Sequence, residues 1–289
     1  MDTIQEKRKY SAEFGAWLSI IVYIALSALK LGVGYISGSK ALMADGLNNS
    51  TDIIASLAVL IGLKISKKPA DSDHKYGHSR AETVASMVAS FIMAAVGLEV
   101  LISSGAKFVR GEFQSPGMAA AWVAFLSAGV MFLVYRYNIR LSERTGSHAL
   151  KAAAADNRSD ALVSLGTVVG ILGSVWGLPW LDACTALIVG ILICKTAWDI
   201  FREATHMLTD GFDVKELEKY KDAVKWIDGV EKVKDIKGRV HGNQIFVDLV
   251  IEVDQAMNVL DSHAITEHIE SELWDKYQIQ HVHVHIEPH

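Results

Sequence analysis

Only two cysteines occur in the 289 residues, Cys184 and Cys194, and both fall inside one apolar stretch. That spacing suits neither a zinc motif nor a useful disulfide, so both read as small buried hydrophobes. A His-Glu-x-x-His pair and a Gly-x-Ser-x-Gly elbow are missing as well. Without a nucleophile or a complete catalytic metal set, neither an enzyme nor a catalytic cofactor is expected. No cleavable signal is read at the start, because residues 1–10 are charged and polar and the apolar run behind them is too long. A basic excess is absent where it would matter for nucleic acid. Residues 206–289 carry a net charge of −8, against +3 for residues 1–205, and an acidic domain disfavours a nucleic-acid partner.

What the chain does have is apolar length. Hydrophobic residues make up 51% of it and the mean hydropathy is +0.24, high for a soluble protein, yet 21% charged residues is too many for a wholly embedded one. The two kinds of residue are therefore segregated. The pattern predicts a membrane domain over 1–205 and a soluble domain over 206–289 that is acidic and holds eight of the eleven histidines. The second part is long enough for one small core.

A bilayer-spanning helix needs about 20 apolar residues. Six segments qualify, at 14–36, 42–65, 83–109, 117–137, 149–176 and 180–201, joined by short breaks such as Ser37-Gly38-Ser39-Lys40 and Gly177-Leu178-Pro179. The second and fifth are the weakest by hydropathy because they contain polar and ionised residues. Lys7, Arg8 and Lys9 precede the first segment; Lys64, Lys67, Lys68, Lys75 and Arg80 follow the second; Arg136, Arg140, Arg144 and Lys151 follow the fourth. The alternate connections carry only Lys40, then Lys107 and Arg110, then none. This distribution places both termini in the cytoplasm of a multi-pass protein surrounded by membrane lipid, in the cell (plasma) membrane.

Soluble periodicity begins after Thr209. The pattern predicts a helix over 214–226 with Asp213 as N-cap, strands over 233–240 and 244–253, a helix over 260–276 and a last strand over 279–286. The stretch 239–243, with Gly242, is a hairpin-type break. The order αββαβ describes an α+β domain with helices on one face of a three-stranded sheet.

The polar residues within the spans point to function, since ionisable groups in hydrocarbon are costly. Asp45, Asn48, Asn49 and Asp52 are spaced i, i+3, i+4, i+7 on the second helix, near one face. Asp156 and Asp160 lie one turn apart on the fifth. If the two helices pack together, Asn48, Asp52, Asp156 and Asp160 converge into one oxygen-rich cage, with Asp45 as a further candidate. The alternative is a set of interhelical hydrogen bonds, or an ion pair of Asp156 with Arg158. Two carboxylates one turn apart call for a cation, and Arg158 points away from both.

These features, together with Ser37-Gly38-Ser39-Lys40-Ala41-Leu42 and the segment running from Asp71-Ser72-Asp73-His74 through Gly77-His78-Ser79-Arg80 to Glu82, resemble the cation diffusion facilitator family over nearly the whole chain. The resemblance implies a homodimer that exports a divalent metal ion in exchange for protons by alternating access. It also implies a ferredoxin-like tail that dimerises and binds regulatory metal. Zinc-transporting members carry Asp-x-x-x-Asp or His-x-x-x-Asp in the second helix and His-x-x-x-Asp in the fifth. Here Asn48 takes the first position of one pair, and Asp156 stands where those members place histidine. Four oxygen ligands without imidazole suit Mn²⁺ better than zinc, so the resemblance is to the manganese-exporting branch, with Fe²⁺ or Zn²⁺ as alternative cargo. Three carboxylates in one desolvated site repel one another, which favours retaining a proton when the metal is absent and links metal to proton movement. A channel or metal sensor without coupled transport is the other reading of the same carboxylates.

By the same resemblance, Asp71, His74 and His78 match a peripheral metal position in the second connection. The resemblance also implies His263, His285 and Glu287 as tail ligands, with His241 and Asp248 as partners. Strand alternation puts His281, His283 and His285 on one face, so His283 joins the tail candidates. Lys234 and Val250 stand where zinc members have further histidines. Arg80 and Asp210 correspond to a charge pair joining the two halves in relatives.

Overall fold

Six long helices come first in the chain, and a small mixed domain follows. In the computed structural model, which describes residues 2–66, 68–113, 115–145, 148–242 and 244–289, the helices are α1 (Asp2–Ser37), α2 (Lys40–Ser66), α3 (Ala81–Arg110), α4 (Met118–Thr145), α5 (His148–Val175) and α6 (Trp180–Leu208). Lys67 and Asn243, used above for orientation and for the hairpin, lie outside the described residues, as do the side chains of Lys7, Arg8, Lys9, Arg144 and Lys151. Five of the helices are long and apolar enough to cross a membrane. The sixth, α2, has the length, at 27 residues, but Lys40, Asp45, Asp52 and Lys64 lower its hydropathy. Large apolar side chains on these helices face outward, among them Ile102 at 71% exposure, Val169 at 69% and Leu133 at 68%. Such surfaces suit lipid rather than water.

The chain divides into two compact units, one comprising Met1–Leu57 and Ala89–Trp198, the other Ala58–Val88 and Asp199–His289. In the first, α1, α4 and α5 pack on one another through small residues. Ala120, Ala121 and Ala124 of α4 meet Ala41 and Leu42 of α2 and Ile171 of α5. Small side chains let helix backbones approach closely where lipid supplies no hydrophobic drive between helices. At Gly97 the approach is close enough that an added Cβ would lie 2.6 Å from Cys194 Sγ and 3.1 Å from its backbone nitrogen. Cys184 and Cys194 are half-buried rather than fully buried, and neither forms a disulfide.

The break between α1 and α2 is a fixed joint. Gly38 turns the chain at φ 72°, a conformation that costs a residue without Cβ little. Ser39 then caps α2, its Oγ accepting from Leu42 N at 3.1 Å. Asp182, in the first turn of α6, accepts from Ser39 Oγ at 2.6 Å, Lys40 N at 2.6 Å and Ala41 N at 3.3 Å. A carboxylate on free N–H groups at a helix start satisfies both the orphan donors and the helix dipole.

In the second unit the tail follows the order αββαβ: α7 (Val214–Lys225), β1 (Lys232–His241), β2 (Gln244–Val253), α8 (Val259–Tyr277) and β3 (His281–Pro288). Asp213 caps α7 through Lys215 N at 2.8 Å, and Asn258 caps α8 through Asp261 N at 3.0 Å. The sheet order is β1-β2-β3, with β1 antiparallel and β3 parallel to β2. Alternation decides the faces. Val247, Leu249, Ile251 and Val253 of β2 bury against Tyr220 and Val224 of α7 and Ile265, Ile269 and Leu273 of α8. Phe246, Asp248, Val250 and Glu252 therefore stand on the opposite face, in register with His281, His283, His285 and Glu287. The last strand starts two residues later than its apolar pattern indicates, because Ile279 is buried in the core ahead of the first strand pairing.

Candidate metal centre

The residues of the predicted cage all lie in the first unit, on α2 and α5. Asn48 Nδ2 donates to Asp160 Oδ1 at 3.0 Å and reaches Asp52 Oδ2 at 3.5 Å. Asp160 is buried, Asn48 and Asp52 are half-buried and Asp156 is exposed. Asp156 makes no hydrogen bond to the other three, but it and Asp160 lie near enough to Asp52 to act on its charge. The three carboxylates are not drawn together within 4.8 Å. The Asn48 amide instead presents its N–H edge to Asp160, occupying with partial positive charge the side on which a cation would sit. Half a turn of that amide would present its oxygen.

A direct partner of this site that sequence reasoning missed is Tyr23, whose hydroxyl donates to Asp160 Oδ2 at 2.5 Å. It belongs to a polar stripe on α1 formed by Ser19, Tyr23, Ser27 and Lys30, spaced four, four and three residues apart on one face of the helix. Each member bonds to a neighbouring helix. Asn138 of α4 donates to Ser19 Oγ at 2.8 Å, and Ser19 donates to Asn157 Oδ1 of α5 at 3.3 Å. Ser27 donates to the Gly46 carbonyl of α2 at 3.1 Å. This spacing was the available signal, masked by the apolar residues between.

Asp45 does not share a hydrogen bond with the four cage residues. It is fully buried with Lys30, whose Nζ donates to Asp45 Oδ1 at 2.9 Å, Asn49 Oδ1 at 2.6 Å and Ser164 Oγ at 2.9 Å. Removing one partner of such a buried ion pair costs about 3–5 kcal/mol.

In the second unit, Asp71, His74 and His78 do converge, with ligand atoms all within 4.8 Å, the only such group among the described residues. Asp71 Oδ1 accepts from His74 N at 2.7 Å and Asp73 N at 3.0 Å, and the backbone N–H of His74 above all holds its carboxyl below the usual value. His78 Nε2 lies 3.5 Å from Asp71 Oδ2, and the two histidine rings are 4.3 Å apart. Arg80 pairs with Asp210.

The tail candidates do not converge within one chain. His263, on α8, is exposed and 3.5 Å from Glu267. Glu287 accepts from Lys234 Nζ at 2.5 Å and is 3.9 Å from His285. Asp248 accepts from Arg239 at 3.0 Å, and His283 is exposed opposite it. His241 is buried between Tyr76 and Phe246. Its burial, with Arg80 and Arg239 nearby, pushes its imidazole below the usual value.

Comparison with known proteins decides the family. Residues 16–209 match the cation efflux transmembrane domain, and residues 212–289 match the cytoplasmic domain of cation efflux proteins. The chain belongs to the cation efflux, or cation diffusion facilitator, family. This cation efflux protein is 52% identical over 288 residues to the manganese efflux system protein MneS of Bacillus subtilis, covering 100% of this chain and 99% of that one. It is 51% identical over 276 residues to the transporter YdbO of the same organism, covering 96% and 95%. To the manganese efflux system protein MneP of that organism it is 29% identical over 283 residues, covering 95% of each. The cation efflux protein is thus a multi-pass membrane transporter of metal ions.

Proposed function

We propose that this cation efflux protein exports Mn²⁺ from the cytoplasm across the plasma membrane in exchange for protons, by alternating access, as a homodimer with both termini in the cytoplasm. The observation that carries the cargo is the donor set. Asn48, Asp52, Asp156 and Asp160 offer oxygen and no imidazole, and hard oxygen ligands suit Mn²⁺ while zinc favours nitrogen or sulfur. A site that holds no histidine discriminates by ligand type, because raw affinity would always favour copper or zinc over manganese. The name of MneS, at 52% identity over the whole chain, supports the same cargo.

Proton exchange follows from the charge of the site. Asp52, Asp156 and Asp160 share one region of α2 and α5, with Asp160 buried, and mutual repulsion among three such carboxylates is relieved either by a divalent cation or by a proton. The two states then alternate. The tail serves the dimer. Its metal role is secondary, since Glu287 and Asp248 already hold Lys234 and Arg239.

The test is an efflux panel with Mn²⁺, Fe²⁺, Co²⁺ and Zn²⁺ in everted vesicles, comparing the native protein with Asp156→His. The native protein should transport Mn²⁺ best and respond to an imposed pH gradient. Asp156→His should move the preference toward Zn²⁺ by about tenfold. Native transport of zinc alone would overturn the cargo, and transport indifferent to the pH gradient would overturn antiport.

A further inference from the structure

The buried Lys30 cluster repeats the metal cage one helical turn along the same two helices. The cage uses Asn48 and Asp52 of α2 with Asp160 of α5; the cluster uses Asp45 and Asn49 of α2 with Ser164 of α5. In both, an amide and a carboxylate four residues apart on α2 face an oxygen of α5. In the cluster the three oxygens close around a cation, the Lys30 ammonium, at 2.6–2.9 Å. Lys30, Asp45, Asn49 and Ser164 are all at 0% exposure.

The ammonium does not fill this cradle. Its three donors are all in use, yet Asp45 Oδ2 is buried without any hydrogen-bond partner. Most buried polar atoms are paired, so this oxygen is unspent ligand capacity. An unused carboxylate oxygen suits a cation that takes more ligands than an ammonium, and hard divalent ions take about six.

We propose that Asp45, Asn49 and Ser164 form a second station for the transported divalent ion, and that Lys30 is a tethered competitor which occupies the station until the ion displaces it. The proposal rests on the reading of the neighbouring residues as the metal cage. As the ion advances one turn, about 5.4 Å, the ammonium retreats toward the vacated carboxylates. A four-carbon side chain sweeps that distance. The exchange keeps Asp45 paired with a cation, either the ammonium or the ion, at each stage. Because the competitor is covalently attached, its effective concentration at the station is high, and an ion that binds weakly to oxygen can still pass without being trapped.

The test measures Mn²⁺ bound to the full-length protein in nanodiscs, by equilibrium dialysis and elemental analysis, for the native chain, Lys30→Met, Lys30→Met with Asp45→Asn, and Asp52→Ala. Lys30→Met should bind one more Mn²⁺ per protomer than the native chain, and adding Asp45→Asn should remove it. Loop and tail sites are common to all four proteins and cancel. If Lys30→Met binds no more than the native chain while Asp52→Ala binds less, the second station falls and the cage stands. If Asp52→Ala binds as much as the native chain, the cage reading fails instead. Lys30→Met leaves Asp45 unpaired, so it should be less heat-stable without metal and recover with Mn²⁺. Instability that Mn²⁺ does not relieve overturns the proposal.

Discussion

The cage proposed on α2 and α5 and the Asp71–His74–His78 cluster set two candidate metal positions against each other. The cluster is assembled, with ligand atoms within 4.8 Å of one another, but lies largely in solvent, where Asp71 and His74 are 50% and 58% exposed. Its carboxylate is already stabilised by backbone N–H groups, so it needs no cation. The cage is unassembled and reaches from exposed Asp156 through half-buried Asn48 and Asp52 to buried Asp160, and its charges lack full compensation from the chain. An exposed cluster can bind metal with little consequence for the fold, whereas the cage must exchange charge whenever its ion leaves. On the proposed function, the difference is that between a surface position and a transport site.

Mutation can break this contrast. The largest effect is expected for Asp52→Ala or Asp160→Ala, which should lower efflux by about 100-fold or more while the protein still inserts, because each removes a charged ligand from the dry site. Vesicle uptake alongside membrane abundance measures it, and efflux above a tenth of native would show that the cage is not the route. Tyr23→Phe comes next. It removes the hydroxyl that orients Asp160, and losing such an outer partner weakens metal affinity about tenfold, read as a higher Mn²⁺ concentration for half-maximal transport. On the other side of the contrast, Asp71→Ala should change efflux by no more than about twofold, the scale of a surface substitution; a collapse of transport would erase the distinction drawn here.

The smallest effect concerns pH. His241 has a folded value below its unfolded one, so the folded state binds fewer protons. Its contribution is fully present above the unfolded value of about 6.5 and is lost as pH falls through the folded value. The protection factors of the β1 amides, which correct for the slower intrinsic exchange in acid, should therefore fall on acidification below about pH 6.5. His241→Phe should blunt that response, and an unchanged profile would show that the histidine is not its source.

The four residues of the proposed cage stood out in the sequence because they break apolar runs at helical spacing. Asn48 and Asp52, like Asp156 and Asp160, are each one turn apart. Lys30 and Tyr23 were not legible as site residues. They belong to a polar stripe at helical spacing on a mostly apolar α1, but what that stripe faces depends on which helices α1 touches, which no local period reports. The αββαβ order followed from strand alternation and caps such as Asp213. Pairing of Lys234 with Glu287 did not, since it depends on the two outer strands flanking β2. Asp45 carried the right residue type at the right spacing for the cage, yet lies with Lys30, a partner supplied from another helix.

The carboxylate of Asp182, clamped across Ser39, Lys40 and Ala41, makes the start of α2 a pivot. A helix fixed at one end can swing but cannot slide. At 1.5 Å per residue, Asn48 rides about 12 Å and Asp52 about 18 Å from that point. A tilt of roughly 10° would then carry Asn48 about 2 Å and Asp52 about 3 Å. The ligand farther from the pivot moves more, so a small angular change at the clamped end suffices to shift Asp52 farther than Asn48 against the carboxylates of α5.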